Sequence, residues 1–505
     1  MPRFARFCSL PPLLGLLLAS GGCGPRLDAE KTNLLLIVVD TLRADHLGAW
    51  GYPYATSPNL DRMASEGVRF ARYHSTSSWT RPGFATLLTG LYPRQAGIYE
   101  ERFDRLPADV TTLAERLREA GYRTFGVNSN PNIDSYFGFN QGFDRFLDSG
   151  RVWPWMRGRA KGKLINKKQK NMGLPDAKQS TDRALAALAK QGMDSTDGPW
   201  FMMVVYIDPH SPYAPPLEQK ARVGASKTPS YDGELRYVDQ EVQRLITGLT
   251  AAGQMENTLV VFTSDHGEGL ADYEGIPLAA HHGEPIYDAL THVPLVLHHP
   301  QLKPRVVDEL VSAVDLVPTL LDLLGLPADP EIPGHSLEPL VTGTGAVEGL
   351  PDHVFAESDW RVTRKVSVRT DGWRYIHNRS AQLLQEQGAH EERQLHEEQR
   401  KLLEGPIFEL YERAGGFESW QANRTKAEPD RRAQLAALIQ SWEARTPSRP
   451  PENRHPSDGI RSKDGSFTKT TAVGGDAQLD PELEARLKVL GYLGEDNGPA
   501  TPATP

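Results

Sequence analysis

Cysteine is almost absent from this chain: two residues in 505, Cys8 and Cys23, both near the start. Beyond position 23 there is therefore no internal disulfide, no sulfur nucleophile and no thiolate for a metal, so any bound ion must be held by oxygen and nitrogen. Long uncharged apolar runs are scarce as well. The N-terminal one ends at Leu18, too short for a permanent spanning helix, and no other stretch is long and uncharged enough to cross a bilayer. Nor is positive charge in excess. Lys and Arg number 56 against 65 Asp and Glu, a net charge of −9, which argues against nucleic acid as the main partner. One local exception, RGRAKGKLINKKQK at 157–170, reads as a solvated surface loop; a flap attracting anionic substrate or lipid head groups is the sharper alternative.

What the N-terminus does contain, MPRFARFCSLPPLLGLLLASGGC, is the layout of an export signal: Arg3 and Arg6, an apolar run, then small residues. A cysteine directly after ASGG suggests a bacterial lipoprotein, cut before Cys23 and lipidated on its sulfur, hence exported, periplasmic and membrane-anchored. Ordinary cleavage with Cys23 left free is the alternative.

From residue 30 to 345 apolar strands alternate with amphipathic helices. NLLLIVVD is a continuous apolar run ending in a carboxylate, as in a strand buried on both faces of a parallel sheet. TSPNLDRMASEGVRF follows with a serine cap, a proline at the first helical position and apolar residues at helical spacing. Helices at TTLAERLREAGY, TDRALAALAKQG and YVDQEVQRLITGLTAAG then alternate with strands at RTFGVNS, PWFMMVVYID and TLVVFTSDHG. This order predicts an α/β sandwich with a mostly parallel central sheet, in which ligands gather beyond the carboxyl ends of the strands. VSAVDLVPTLLDLLGLP predicts an amphipathic helix with Asp315 as a structural cap. A smaller C-terminal α+β subdomain is expected at 346–445, with strands at VSVRT and WRYIHN and a charged, exposed helix at GAHEERQLHEEQRKLLEG. Proline, glycine and polar residues predict a loose linker and tail at 446–505, with one short helix at PELEARLKVLGYLG.

Carboxylates and imidazoles collect at the predicted strand ends. Asp40 ends the first strand, Asp208 and His210 follow another, and Asp265 and His266 end a third. A lone Asp-His pair is more often a cap or a surface group, but repetition along the ligand-bearing edge points to a divalent ion, Ca, Mg, Mn or Zn. Near them SSWTRPGFATLLTG reads as the start of a helix. Ser77, Ser78 and Thr80 could each cap it, and on local grounds a plain cap is the simpler role for Thr80. The sharper role is chemical, because a cation near the hydroxyl lowers its pKa and the free amides of a helix N-terminus favour an anion.

Taken in order, NLLLIVVDTLRADHLG, VDLVPTLLDLLGL and IPGHSL, with weaker echoes at VSVRTDGWRYI and IFELYE, resemble the sulfatase family of the alkaline phosphatase superfamily over more than half the chain. The resemblance implies an alkaline-phosphatase-like α/β sandwich, a catalytic domain at 30–345, and a divalent metal beside a nucleophile at the start of a helix, acting on sulfate or phosphate esters. Carried over by position, the metal ligands fall on Asp40, Asp265, His266 and Thr80, with Thr41 where many members have a second aspartate. The Cys/Ser-x-Pro-x-Arg motif, registered through Leu88, Thr89 and Gly90, puts Thr80 at the nucleophile, Pro82 at the proline and Phe84 at the arginine. His210, in the family's PHxPY stretch, and His282, where sulfatases often have lysine, are the implied acid or oxyanion-contacting groups; His281 could substitute for His282. The sulfate-gripping Lys-x-His falls on Ser129 and Pro131, which leaves Asn130 between them and His281 as substrate-binding candidates. Asp208, His210 and His282 are the weaker possibility of a second metal site.

The departures shape the expectation. Sulfatases convert the Cys or Ser to formylglycine; threonine is not expected to give that aldehyde, and phosphodiesterases and head-group transferases of the superfamily use unmodified threonine. The expected function is therefore metal-dependent hydrolysis of a phosphate ester, foremost a diester, on a small anionic ester or lipid head group. The alternatives are a sulfatase with an atypical site and an inactive binding protein that kept the fold.

Overall fold

The computed structural model describes residues 27–28, 32–99, 104–150, 174–190, 198–270, 282–360, 363–387, 405–412 and 422–449, with short pieces at 460–461 and 467–468. The Cys23 signal, the basic stretch at 157–170, His281, the charged helix around His390 and the C-terminal helix lie outside the described residues.

Strands β1 (Asn33–Val39), β2 (Val68–His74), β3 (Arg123–Val127), β4 (Arg145–Leu147), β5 (Trp200–Tyr206), β6 (Thr258–Thr263), β7 (Leu295–His298) and β8 (Arg305–Ser312) form one sheet in the order β4-β3-β5-β1-β6-β7-β2-β8. Only β7 runs against its neighbours β6 and β2; the other pairings are parallel. Period-two alternation divides β1 between two cores: Leu34, Leu36 and Val38 enter one, Leu35, Ile37 and Val39 the other. Both faces are covered, which is why the strand reads as unbroken apolar sequence. One cover includes helix α1 (Pro58–Glu66) and the helix Pro229–Ala251; the other includes helix α2 (Thr80–Thr89) and the helix Leu316–Leu323.

A second, antiparallel sheet of β9 (His353–Trp360), β10 (Thr363–Thr370), β11 (Trp373–Asn378) and β12 (Phe408–Glu412) is ordered β12-β11-β10-β9. Leu435, Ile439 and Trp442 of the helix Pro429–Arg445 pack on it. Among the described residues no helix is long and apolar enough to cross a membrane.

Three local expectations are corrected. The residues VRF begin β2 rather than ending α1, because Gly67 stops the helix where a Cβ would lie 2.6 Å from the Leu297 carbonyl oxygen. The first residues of VSAVDLVPTLLDLLGLP finish β8, and the helix starts only at Leu316. Asp315 caps this turn, accepting from Ser312 N at 2.9 Å and His335 N at 2.8 Å. The start of the expected loose linker is docked: Arg449 N donates to Arg94 O at 2.8 Å and its guanidinium reaches Asp109 at 2.7 Å.

Candidate active site

The ends of β1, β3, β5 and β6 bring Asp40, Asn130, Asp208 and Asp265 to one edge of the sheet, and α2 points its N-terminus at the same place. Trp79, extended at φ −156°, is the residue before the helix and contributes no side-chain cap. Ser78 Oγ donates instead to Gly283 O at 2.8 Å. Thr80 is the first helical residue, so its capping role is not realised; its Oγ1 lies 3.3 Å from His266 Nε2 and 3.5 Å from Asn130 Nδ2. Gly83 makes this approach feasible, since a Cβ there would sit 2.6 Å from the Asp265 carbonyl oxygen.

His266 and Asn130 meet at the Thr80 hydroxyl, and the Thr41 backbone supports the carboxylates beside it. His266 Nδ1 is 2.8 Å from Gly267 O; donation there leaves Nε2 as the lone-pair edge, 3.5 Å from Asp40 Oδ1 and 3.4 Å from Asp265 Oδ2. Thr41 adopts φ 55°, a strained left-handed conformation for a β-branched residue. Tyr231 Oη holds it by donating to Thr41 O at 2.7 Å, and the Thr41 amide serves both carboxylates. Asn130 Nδ2 donates to Asp40 Oδ2, while Asn130 Oδ1 accepts from Asn132 N at 2.8 Å, which fixes the amide's orientation.

The donor set fits a divalent cation. Asp40, Asp265 and His266 are fully buried and offer ligand atoms within 4.8 Å of one another. Asp40 Oδ1 and Asp265 Oδ2 accept no hydrogen bond, a costly condition for buried carboxylates unless a cation completes the set. Burial is the first cause of the electrostatics here: it raises Asp40 to about 7 against the opposing His282 charge and Asn130 hydrogen bond. Burial, then the Asp40 charge, pushes Asp265 well above the usual carboxylate range. Burial, then the His282 charge, keeps His266 neutral by lowering it well below its ordinary value. A neutral imidazole and two oxygens in need of a counter-charge are what a hard or borderline ion requires.

His282 adjoins this group. Its ring centroid is 4.7 Å from that of His266 and 4.8 Å from that of His210. His210 Nδ1 is 2.5 Å from Ser211 O, and His282 Nδ1 is 3.0 Å from Glu268 Oε1. Among the described residues only Asp40, Asp265 and His266 bring their ligand atoms within 4.8 Å of one another; Asp208, His210 and His282 do not gather as closely. Glu268 was missed from the sequence although it stands in TSDHGEG, two residues beyond His266; nothing local distinguishes it from a solvated acid. Arg81 was missed too: fully buried beside Thr80, its guanidinium lies 4.0 Å from the Phe137 ring centroid.

An α/β sandwich with a hydroxyl at a helix N-terminus, two carboxylates and a neutral imidazole at the strand ends defines an ester hydrolase built around a divalent-ion site. The family model "Sulfatase" matches residues 32–326, and "N-sulphoglucosamine sulphohydrolase, C-terminal" matches 284–393. The chain belongs to the sulfatase family. Among curated proteins it is 26% identical to the uncharacterized sulfatase YidJ of Escherichia coli (strain K12), covering 61% of this chain and 71% of that one. It is 28% identical to human arylsulfatase A, covering 63% and 69%. Among solved structures, the phosphonate monoester hydrolase SpPMH from Silicibacter pomeroyi superposes with TM-score 0.61 at 20% identity, covering 87% of this chain and 99% of that one. BT4656, solved with D-glucosamine-2-N,6-O-disulfate, gives TM-score 0.60 at 17% identity, covering 84% of this chain and 100% of that one.

Proposed function

We propose that this protein hydrolyses phosphate esters, diesters foremost, with the unmodified hydroxyl of Thr80 as the attacking group. The observation that carries the reading is the position of that hydroxyl at the start of α2, 3.3 Å from His266 Nε2 and against the Asp40–Asp265–His266 group. A divalent ion held by those three residues would lower the pKa of the hydroxyl and offset charge on the ester oxygens. The chain supplies the rest. The first-turn amides of α2 face an incoming anion, and the Asn130 amide holds Thr80 and Asp40 in place. As the Thr80 oxygen bonds to phosphorus its proton passes to solvent water and the bond to the leaving oxygen breaks. His282 or His210 hands that oxygen a proton. Water then displaces the Thr80 ester, which restores the hydroxyl and releases the phosphate monoester.

Threonine supports phosphorus over sulfur as the target, because its secondary alcohol cannot yield the aldehyde that sulfate monoester cleavage uses in this family. The curated relatives' names favour the second reading, a sulfuric ester hydrolase: arylsulfatase A is one, and choline-sulfatase of Rhizobium meliloti another. Assay of bis(para-nitrophenyl) phosphate against para-nitrophenyl sulfate separates the two, and clear preference for the sulfate overturns ours. We further propose export and anchoring through lipidated Cys23, which would hold the site near small anionic esters or lipid head groups. Mass spectrometry of the mature N-terminal peptide tests this, and an unlipidated Cys23 refutes it.

A further inference from the structure

Glu268 is a fully buried carboxylate that neither the metal group nor the hydroxyl uses, yet its charge is felt at Asp40. Its loop is held rigidly. Gly267 N donates to Leu290 O at 2.8 Å, and a Cβ at Gly267 would lie 1.9 Å from the Ala289 carbonyl oxygen, so the backbone packs directly against the helix Asp288–Thr291. Arg43 Nη1 donates to Glu268 O at 3.2 Å from the other side. The side chain then turns inward. Oε1 meets His282 Nδ1 at 3.0 Å and accepts from Gly269 N at 3.2 Å.

We infer that Glu268 is a positioning residue: by accepting the His282 Nδ1 proton it fixes that ring so that Nε2 faces the leaving oxygen. The geometry supports it from both sides. A ring pinned at Nδ1 carries Nε2 on the opposite edge, and this ring lies between those of His210 and His266, at 4.8 and 4.7 Å. Trp360, whose ring centroid is 6.4 Å away, and Gly283 at φ 101° restrict where the ring can turn. A carboxylate behind an imidazole is the usual means of choosing its tautomer and orientation.

The inference rests on the proposed role of His282 at the leaving oxygen, and its test separates the two. Wild type, Glu268→Ala, Glu268→Gln, His282→Ala and the Glu268→Ala/His282→Ala double variant are compared on phenyl and para-nitrophenyl esters of whichever acid the enzyme cleaves. Proton donation matters for the poor phenolate leaving group and little for nitrophenolate. Glu268→Ala is expected to lower kcat on the phenyl ester by about 10- to 100-fold, with a smaller loss on the nitrophenyl ester. Glu268→Gln keeps an acceptor oxygen and recovers most of the rate, and the double variant matches His282→Ala alone. If His282→Ala shows the leaving-group-dependent loss but Glu268→Ala does not, or if their losses multiply, the inference falls and the role of His282 stands. If His282→Ala shows no such dependence, both fall. Should Glu268→Ala fail to fold, nitrogen NMR of the His282 ring in the wild-type protein decides: a proton on Nδ1, whether in the imidazolium or in the neutral Nδ1-protonated ring, supports the inference, and a ring protonated at Nε2 alone overturns it.

Discussion

Asp265 and Glu268 are separated by two residues in one loop, and both are buried, yet they carry opposite electrostatics. Burial pushes Asp265 well above the carboxylate range, with the Asp40 charge adding to it. Burial acts on Glu268 in the same sense, but the His282 charge and hydrogen bond, the His210 charge and Tyr213 bring it below its ordinary value. The difference is where the counter-charge comes from. Glu268 has imidazoles of its own chain against it, whereas Asp265 faces another carboxylate and a neutral imidazole. The loop thus holds one half that is internally complete and one half that is completed only by a cation from outside.

Five measurements would break or sharpen that contrast. The largest effect belongs to the group facing the cation: Thr80→Ala should lower kcat by about a thousandfold or more while bound metal, read by elemental analysis, is retained. Asp265→Asn should abolish metal retention, and in metal-free protein at alkaline pH it should raise the melting temperature. An acid whose folded pKa lies above its unfolded one binds protons more tightly when folded, so it costs stability as pH rises through that interval; amidation removes the cost. Glu268→Gln should lower the melting temperature under the same conditions, because its pKa shift has the opposite sign, and like-signed shifts for the two variants would end the contrast. Gly283→Ala, at φ 101° with Trp360 Cδ2 2.5 Å from the added carbon, should cost about 1–3 kcal/mol in denaturant unfolding and displace His282. Smallest is a pH effect. With Asp40 raised to about 7, protons compete with metal below that pH, so affinity measured by calorimetry should fall by about tenfold per unit of acidification and level off above it.

The sheet and one half of the site were legible in the sequence, and physics explains the division. β1, β5 and β6 are buried on both faces, so their apolar runs and terminal aspartates stand out without any tertiary knowledge. The edge of α1 was misjudged because Gly67 stops a helix only through a contact with Leu297, distant in sequence. Asp40, Asp265 and His266 were visible since each ends a strand. Glu268 was not, because a carboxylate's meaning depends on the imidazole opposite it, and that imidazole lies 14 residues away. The strain at Thr41 and the burial of Arg81 likewise have no local signature.

The central claim is that Thr80 itself bonds to the substrate's phosphorus under the influence of a cation. Rapid quench of the enzyme with bis(para-nitrophenyl) phosphate, followed by mass spectrometry of the peptide spanning Thr80, tests it most directly. The account predicts an aryl phosphoryl ester on Thr80 that forms with metal present and does not form in enzyme chelated beforehand. Full turnover with that peptide unmodified would contradict it.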